Sequence, residues 1–141
     1  MEQLRQPHIL FVDDDNDLRA TFAASMQARG LVVTERTNGE EAVNWLETNR
    51  PDALVTGILM PRISGFELIE RLRVDPKRRD IPVFVFSHRG RPEDRERAKK
   101  LGVRDFFVYG FISPGEVAAT LLRFLGEGMS TPAGGSPGVL Q

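Results

Sequence analysis

There is no cysteine in this 141-residue chain, so disulfides, thiolate nucleophiles and cysteine-ligated metal centres are excluded. Long apolar runs are missing too. The longest stretches, Ile81 to Phe86 and Phe106 to Ile112, fall far short of the roughly 20 residues that a membrane-spanning helix needs. Nor does one charge dominate, since 19 Lys and Arg face 20 Asp and Glu for a formal net charge of −1. Without an overall field, nothing draws the molecule as a whole onto nucleic acid or anionic lipid. The expectation is a soluble, cytoplasmic protein that binds neither membrane nor nucleic acid, with any charged site local. Apolar residues make up 40% of the chain, enough for one domain with a layered core.

Short apolar runs alternate with longer segments of helical period, the pattern of a parallel sheet built from βαβ units. Five strands are expected, at about His8 to Val12, Leu31 to Glu35, Asp52 to Gly57, Ile81 to Phe86 and Arg104 to Val108. The third and fourth are nearly all apolar, as in strands covered on both faces. Helix starts are marked by pairs with capping-box spacing, Asn38 with Glu41, Ser64 with Glu67 and Ser113 with Glu116. Stripes such as Leu18, Phe22 and Met26, or Val117, Leu121 and Leu125, are core faces. The segment Pro92 to Leu101 offers only Ala98 and Leu101 as apolar anchors and should be the least firmly packed helix. Residues 1–126 read as one domain, and 127–141, rich in Gly, Ser and Pro, as a flexible tail or linker.

In an open parallel sheet, ligands bind beyond the carboxyl ends of the strands, where the strand order reverses. The first strand ends in Asp13-Asp14-Asp15, successive carboxylates that repel unless a cation or hydrogen-bond donors offset them. Asp13 and Asp14 are assigned to a pocket, Asp15 and Asp17 to the start of the next helix, where negative charge is favoured. Hard divalent cations such as Mg²⁺ are held by one or two such carboxylates plus water.

Four motifs then stand in order: Ile9-Leu10-Phe11-Val12-Asp13-Asp14-Asp15; Pro51-Asp52-Ala53-Leu54-Val55 leading to Met60-Pro61 and Ser64-Gly65-Phe66-Glu67-Leu68; Ile81-Pro82-Val83 leading to Ser87; and Leu101-Gly102 leading to Phe106. Together they resemble the receiver domain of two-component response regulators, from about His8 to Leu125. The resemblance implies a flavodoxin-like, doubly wound α/β fold, a five-stranded parallel sheet in the order 2-1-3-4-5 with five helices. It matches Asp13 and Asp14 to the acidic pair that helps hold Mg²⁺, and Ser87 and Phe106 to the hydroxyl and aromatic that switch together. Two positions depart from it. Gly57 stands where the family keeps its phosphate-accepting aspartate, and Tyr109-Gly110 where it keeps a lysine and a cis-proline.

A carboxylate nucleophile is needed to form an acyl phosphate, and glycine offers only backbone. The expected function is therefore that of an atypical receiver, a protein-interaction module rather than an enzyme, with at most a weak Mg²⁺ site at Asp13 and Asp14. The alternative is a conventional phosphorelay receiver with Asp13 or Asp14 as acceptor. A dehalogenase-like reading of Asp13 and Asp15 fails for want of a matching lysine motif and a substrate cap. The expected partner is a sensor kinase or a downstream signalling protein, met by the fourth helix, fifth strand and fifth helix, with a homodimer left open. Phe106, Phe107, Tyr109 and Phe111 put four aromatics in six positions, more than one strand face absorbs. Either Phe107 or Tyr109 is exposed beside Arg95 and Lys99, or Phe107 packs under the last helix and Tyr109 fills the space left by Gly57. His88 either fills the same pocket or belongs to a surface loop. Arg78, Arg79, Arg89, Arg91, Arg95 and Arg97 are interleaved with acids, a poor nucleic-acid surface. His8 is expected to have no role.

Overall fold

A computed structural model describes residues 5–130, with side chains to Gly126. Its elements are β1 (His8–Val12), α1 (Asn16–Ala28), β2 (Val32–Arg36), α2 (Gly39–Leu46), β3 (Ala53–Thr56), α3 (Gly65–Arg73), β4 (Val83–Ser87), α4 (Pro92–Lys100), β5 (Asp105–Val108) and α5 (Pro114–Ser130). All strand pairs are parallel, in the order β2-β1-β3-β4-β5. This is the flavodoxin-like arrangement expected. α5 continues to Ser130, past the boundary expected at 126, and residues 131–141 of the expected tail lie outside the described residues. Among the described residues, no helix is long and apolar enough to cross a membrane.

Period-two alternation divides the sheet's side chains between two cores. Ile9, Phe11, Val55, Phe84, Phe86 and Phe107 pack with α1 and α5 through Phe22, Met26, Val117 and Leu121. Leu10, Val12, Leu54, Val83 and Val85 pack on the other face with Leu46, Phe66, Ile69 and Leu72. Burying an aromatic or aliphatic side chain is worth about 1.5–3 kcal/mol, so each face secures its helices independently.

The helix starts follow local chemistry. Asp15, Asn38 and Ser64 each accept a backbone N–H through the side chain, and Ser113 and Glu116 form a full reciprocal box at 3.1 and 2.8 Å. α4 has no side-chain cap and buries only Ala98, in line with the weak packing expected of it. Cations hold it instead: Arg97 lies 4.6 Å from the Phe66 ring centre and 2.8 Å from Glu70, and Arg95 lies 4.9 Å from that of Phe106.

Arginines elsewhere close the amino end of the sheet. Arg73 donates to the carbonyls of Leu101, Arg79 and Ile81, and Arg78 to that of Leu46 and to Asp75. His8, expected to have no role, bonds Thr34 at 2.7 Å and sets its ring edge-on to Trp45.

Candidate functional site

The strand order reverses between β1 and β3, so the loops leaving these strands splay apart and open a crevice. A cleft of about 130 Å³ lies there, lined by Asp13, Asp14, Gly57, Ser87, His88 and Arg91 among others. Asp13 is 3% exposed. One of its oxygens, Oδ1, accepts the Asp15 N–H at 2.8 Å. The other, Oδ2, accepts no hydrogen bond from a described residue and lies 2.9 Å from where a Cβ on Gly57 would stand. Asp13 thus leans into the room that a side chain at 57 would take. Burial is the main cause that pushes its carboxyl above the ordinary value, with Asp14 and Asp15 adding to the rise, while the Asp15 N–H and His88 oppose it.

Arg19 holds this carboxylate's backbone in place. Buried in α1, it donates to the Asp13 carbonyl and to Glu35 of β2 at 2.9 Å. Sequence reasoning missed it, and the only available signal was an arginine directly after the core residue Leu18. Asp14 is exposed at the cleft edge. Asp15 caps α1 and Asp17 lies in its first turn, the separation of duties expected of the acidic run.

Gly57 is buried at the end of β3, its N–H bonded to the Val12 carbonyl at 2.8 Å. Gly65 presses on it so closely that a Cβ on Gly65 would stand 1.8 Å from the Gly57 carbonyl oxygen. Ser87 ends β4, and its hydroxyl donates to the Arg89 carbonyl and accepts the Arg89 N–H at 3.1 Å. It is therefore committed to its own loop. Phe106 is half-buried beneath Arg95, on the sheet face opposite Phe107.

Phe107 is 3% exposed, in the core under α5, and reaches the wall of the groove beside Arg95 and Phe106. Tyr109 does not fill the space beside Gly57. It follows β5, is 42% exposed, and leans toward α1 with its ring 6.2 Å from Phe22 and 5.3 Å from His88. His88 both lines the cleft and is exposed, so the two readings of it meet in one residue. Of the arginines, Arg78 and Arg97 hold carboxylates or carbonyls, Arg91 pairs with Glu93, Arg95 covers Phe106, and Arg89 lines the cleft beside Arg91.

Asp13 Oδ2, buried without a donor, suits a hard cation, and Asp14 could supply a second oxygen. Gly57 adds no side-chain ligand, and among the described residues no three His, Asp or Glu side chains gather in a metal-binding arrangement.

A family model described as response regulator receiver domain matches residues 9–117. An uncharacterized 14.6 kDa protein of Leptolyngbya boryana is 39% identical over 108 residues, 77% of this chain and 82% of that protein. The transcriptional regulatory protein PrrA of Mycobacterium tuberculosis is 35% identical over 106 residues, 75% of this chain but 45% of its own length. This chain thus spans less than half of that regulator. Among solved structures, the receiver domain of a sensor histidine kinase of Pseudomonas aeruginosa, with a magnesium ion coordinated in its active site cleft, superposes with a TM-score of 0.76. The identity is 25%, covering 86% of this chain and 98% of that one.

Proposed function

The chain belongs to the response regulator receiver domain family, and from that premise we propose that it signals without aspartyl phosphate, by binding other proteins in the cytoplasm. Receiver domains are signalling modules. The observation that carries the proposal is the pairing of Gly57 with Asp13. Where the family resemblance places the acceptor carboxylate there is only backbone, and the neighbouring acid leans into the room that results. Tyr109, in the position of the lysine, brings no positive charge, and it lies toward α1.

Ser87 bonds its own loop, and Phe106 is held by Arg95. This supports a domain whose hydroxyl and aromatic rest in one arrangement, with partner binding in place of phosphorylation as the input. Mg²⁺ would bind weakly, through Asp13 and Asp14. The partner, a sensor kinase or a downstream signalling protein, would meet α4, β5 and α5, where a groove of about 470 Å³ is lined by Arg95, Phe106, Phe111 and Ile112. A second copy of the chain is the other candidate for that face.

Incubation with acetyl phosphate and with a phosphohistidine donor, followed by intact-mass spectrometry, tests the proposal. No adduct is expected. A hydroxylamine-labile phosphoryl group on Asp13 or Asp14 would establish the alternative, a phosphorelay receiver with a displaced acceptor.

A further inference from the structure

The cleft beside Gly57 is lined by two groups of opposite charge whose hydrogen-bonding capacity is unused. Asp13 is 3% exposed, and its Oδ2 accepts no hydrogen bond from a described residue. The Phe86 carbonyl oxygen lies 3.8 Å from the point where a Cβ on Gly57 would stand, and Asp13 Oδ2 2.9 Å from it, so one small space is bounded by two acceptors. Arg89 lines the same cleft. Its guanidinium makes no ion pair or hydrogen bond among the described residues, whereas Arg91 is paired with Glu93 at 3.4 Å. A buried carboxylate oxygen without a donor is costly, and an ammonium group supplies three donors while needing no acceptor of its own filled. The cleft volume of about 130 Å³ equals about four waters at their liquid volume. That is room for a molecule the size of alanine or serine and none for a nucleotide.

We propose that this cleft binds a small free amino acid, its ammonium group donating to Asp13 Oδ2 and its carboxylate received by the Arg89 guanidinium. A zwitterion answers both unused groups at once, and arginine is the side chain best shaped to hold a carboxylate. The proposal rests on the reading of Gly57 as a position without an acceptor, since a side chain there would take the ammonium group's place. Binding would reach beyond the cleft. The Ser87 hydroxyl bonds both the N–H and the carbonyl of Arg89, so an Arg89 drawn onto a ligand held by Asp13 ties the loop after β4 to the end of β1. The ligand thereby acts on the same hydroxyl that phosphorylation would otherwise engage.

Isothermal titration of the full chain with glycine, alanine and serine tests this, in a buffer free of amines and carboxylates. At least one of the three should give saturable heat with a Kd at or below about 1 mM, the affinity that some six heavy atoms reach at ordinary ligand efficiency. Ethylamine and propionate, which carry one charge each, should bind at least about tenfold more weakly. Asp13→Asn, Arg89→Gln and Gly57→Ala should each weaken binding by about tenfold or more, the first two by removing a charge-assisted bond and the third by placing a methyl where the ammonium group sits. Circular dichroism confirms that the three variants remain folded. No saturable heat from any of the three amino acids, equal binding of ethylamine or propionate, or undiminished affinity in the folded Asp13→Asn or Arg89→Gln variant would overturn the proposal. The titration contains no phosphodonor. A phosphoryl adduct on Asp13 would end the reading of Gly57 whatever these heats are, and absent heats would end this proposal while leaving that reading in place.

Discussion

The Oδ2 atom of Asp13 stands 2.9 Å from the point where a side chain on Gly57 would begin, so the two positions compete for one space. Gly57→Asp must turn Asp13 aside and brings a third carboxylate to a cleft that already holds Asp13 and Asp14. Like charges so close disfavour joint ionisation. The variant should melt lower than the parent without divalent cation and recover when millimolar Mg²⁺ is added, since a ligand that binds only the folded state stabilises it. A scan with and without Mg²⁺ checks this. A melting temperature indifferent to Mg²⁺ would count against it.

For the parent chain, isothermal titration should give a Mg²⁺ affinity at least about tenfold weaker than that of Gly57→Asp, because affinity for a hard cation follows the number of oxygen ligands. Asp13→Ala should abolish what binding there is. Tight binding that survives this substitution would disprove the assignment of Asp13 and Asp14.

Gly65→Ala is expected to be far more damaging than Gly57→Ala. The added methyl at 65 would fall 1.8 Å from a backbone oxygen, whereas at 57 it meets a side-chain carboxylate that can move. A cost of about 3 kcal/mol or more is expected at Gly65 and about 1 kcal/mol at Gly57. Urea unfolding of the two variants decides it, and equal midpoints would contradict the packing described.

Acid titration should separate Asp13 from Asp52. Burial raises the Asp13 carboxyl above 3.8, so its ionised form costs stability at neutral pH, and this cost disappears as pH falls through the raised value toward 3.8. Asp52 behaves oppositely: the Arg5 guanidinium, its main influence, and the His8 N–H hold it below 3.8, giving stability that is present above that value and lost as pH falls through the lowered one. Asp13→Asn should therefore stabilise the chain at pH 7 and make no difference near pH 3. Asp52→Asn should destabilise it at pH 7 and flatten the acid limb of the stability curve. Parallel melting curves across that range for all three proteins would refute both assignments.

Phe107→Ala should cost about 3–5 kcal/mol by emptying the core under α5. Phe111→Ser should change stability by no more than about 0.5 kcal/mol, its ring being in water already. Arg95→Ala should free Phe106 and, if the α4–β5–α5 face meets the partner, weaken binding to a co-purified protein. Chemical denaturation and a binding assay on the same three variants test this, and a folded Phe107→Ala protein of parental stability would sink it.

Much of this was legible along the chain because its signals are local. Short apolar runs mark strands wherever they lie, so all five strands were found, with boundaries displaced by a residue or two where ladder bonds rather than hydrophobicity end them. Capping spacings placed α2, α3 and α5, and the acidic run divided as electrostatics demands, Asp13 to the cleft and Asp15 to the helix cap. What was not legible depended on partners distant in sequence. Arg73, Arg78 and Arg97 look like surface cations until the carbonyls, carboxylates and rings that receive them are seen.

The last aromatic cluster shows where the division falls. Period-two alternation establishes that Phe106, Phe107, Tyr109 and Phe111 cannot all be buried on one face of a strand, and the sequence by itself determined that some must reach the surface or fill the space left at position 57. It also determined that position 57 holds no carboxylate and position 109 no positive charge. The end of β5 at Val108 was legible too; only the tertiary structure decided that Phe107 pairs with Phe86 inside the sheet, with Tyr109 beyond the last paired residue. Only it decided that Asp13 leans toward the bare backbone of Gly57 and Tyr109 toward α1. The reason is physical: hydrophobic periodicity fixes which side chains share a face, but which residues pair across strands and which way a side chain leans are settled by neighbours brought close by the fold.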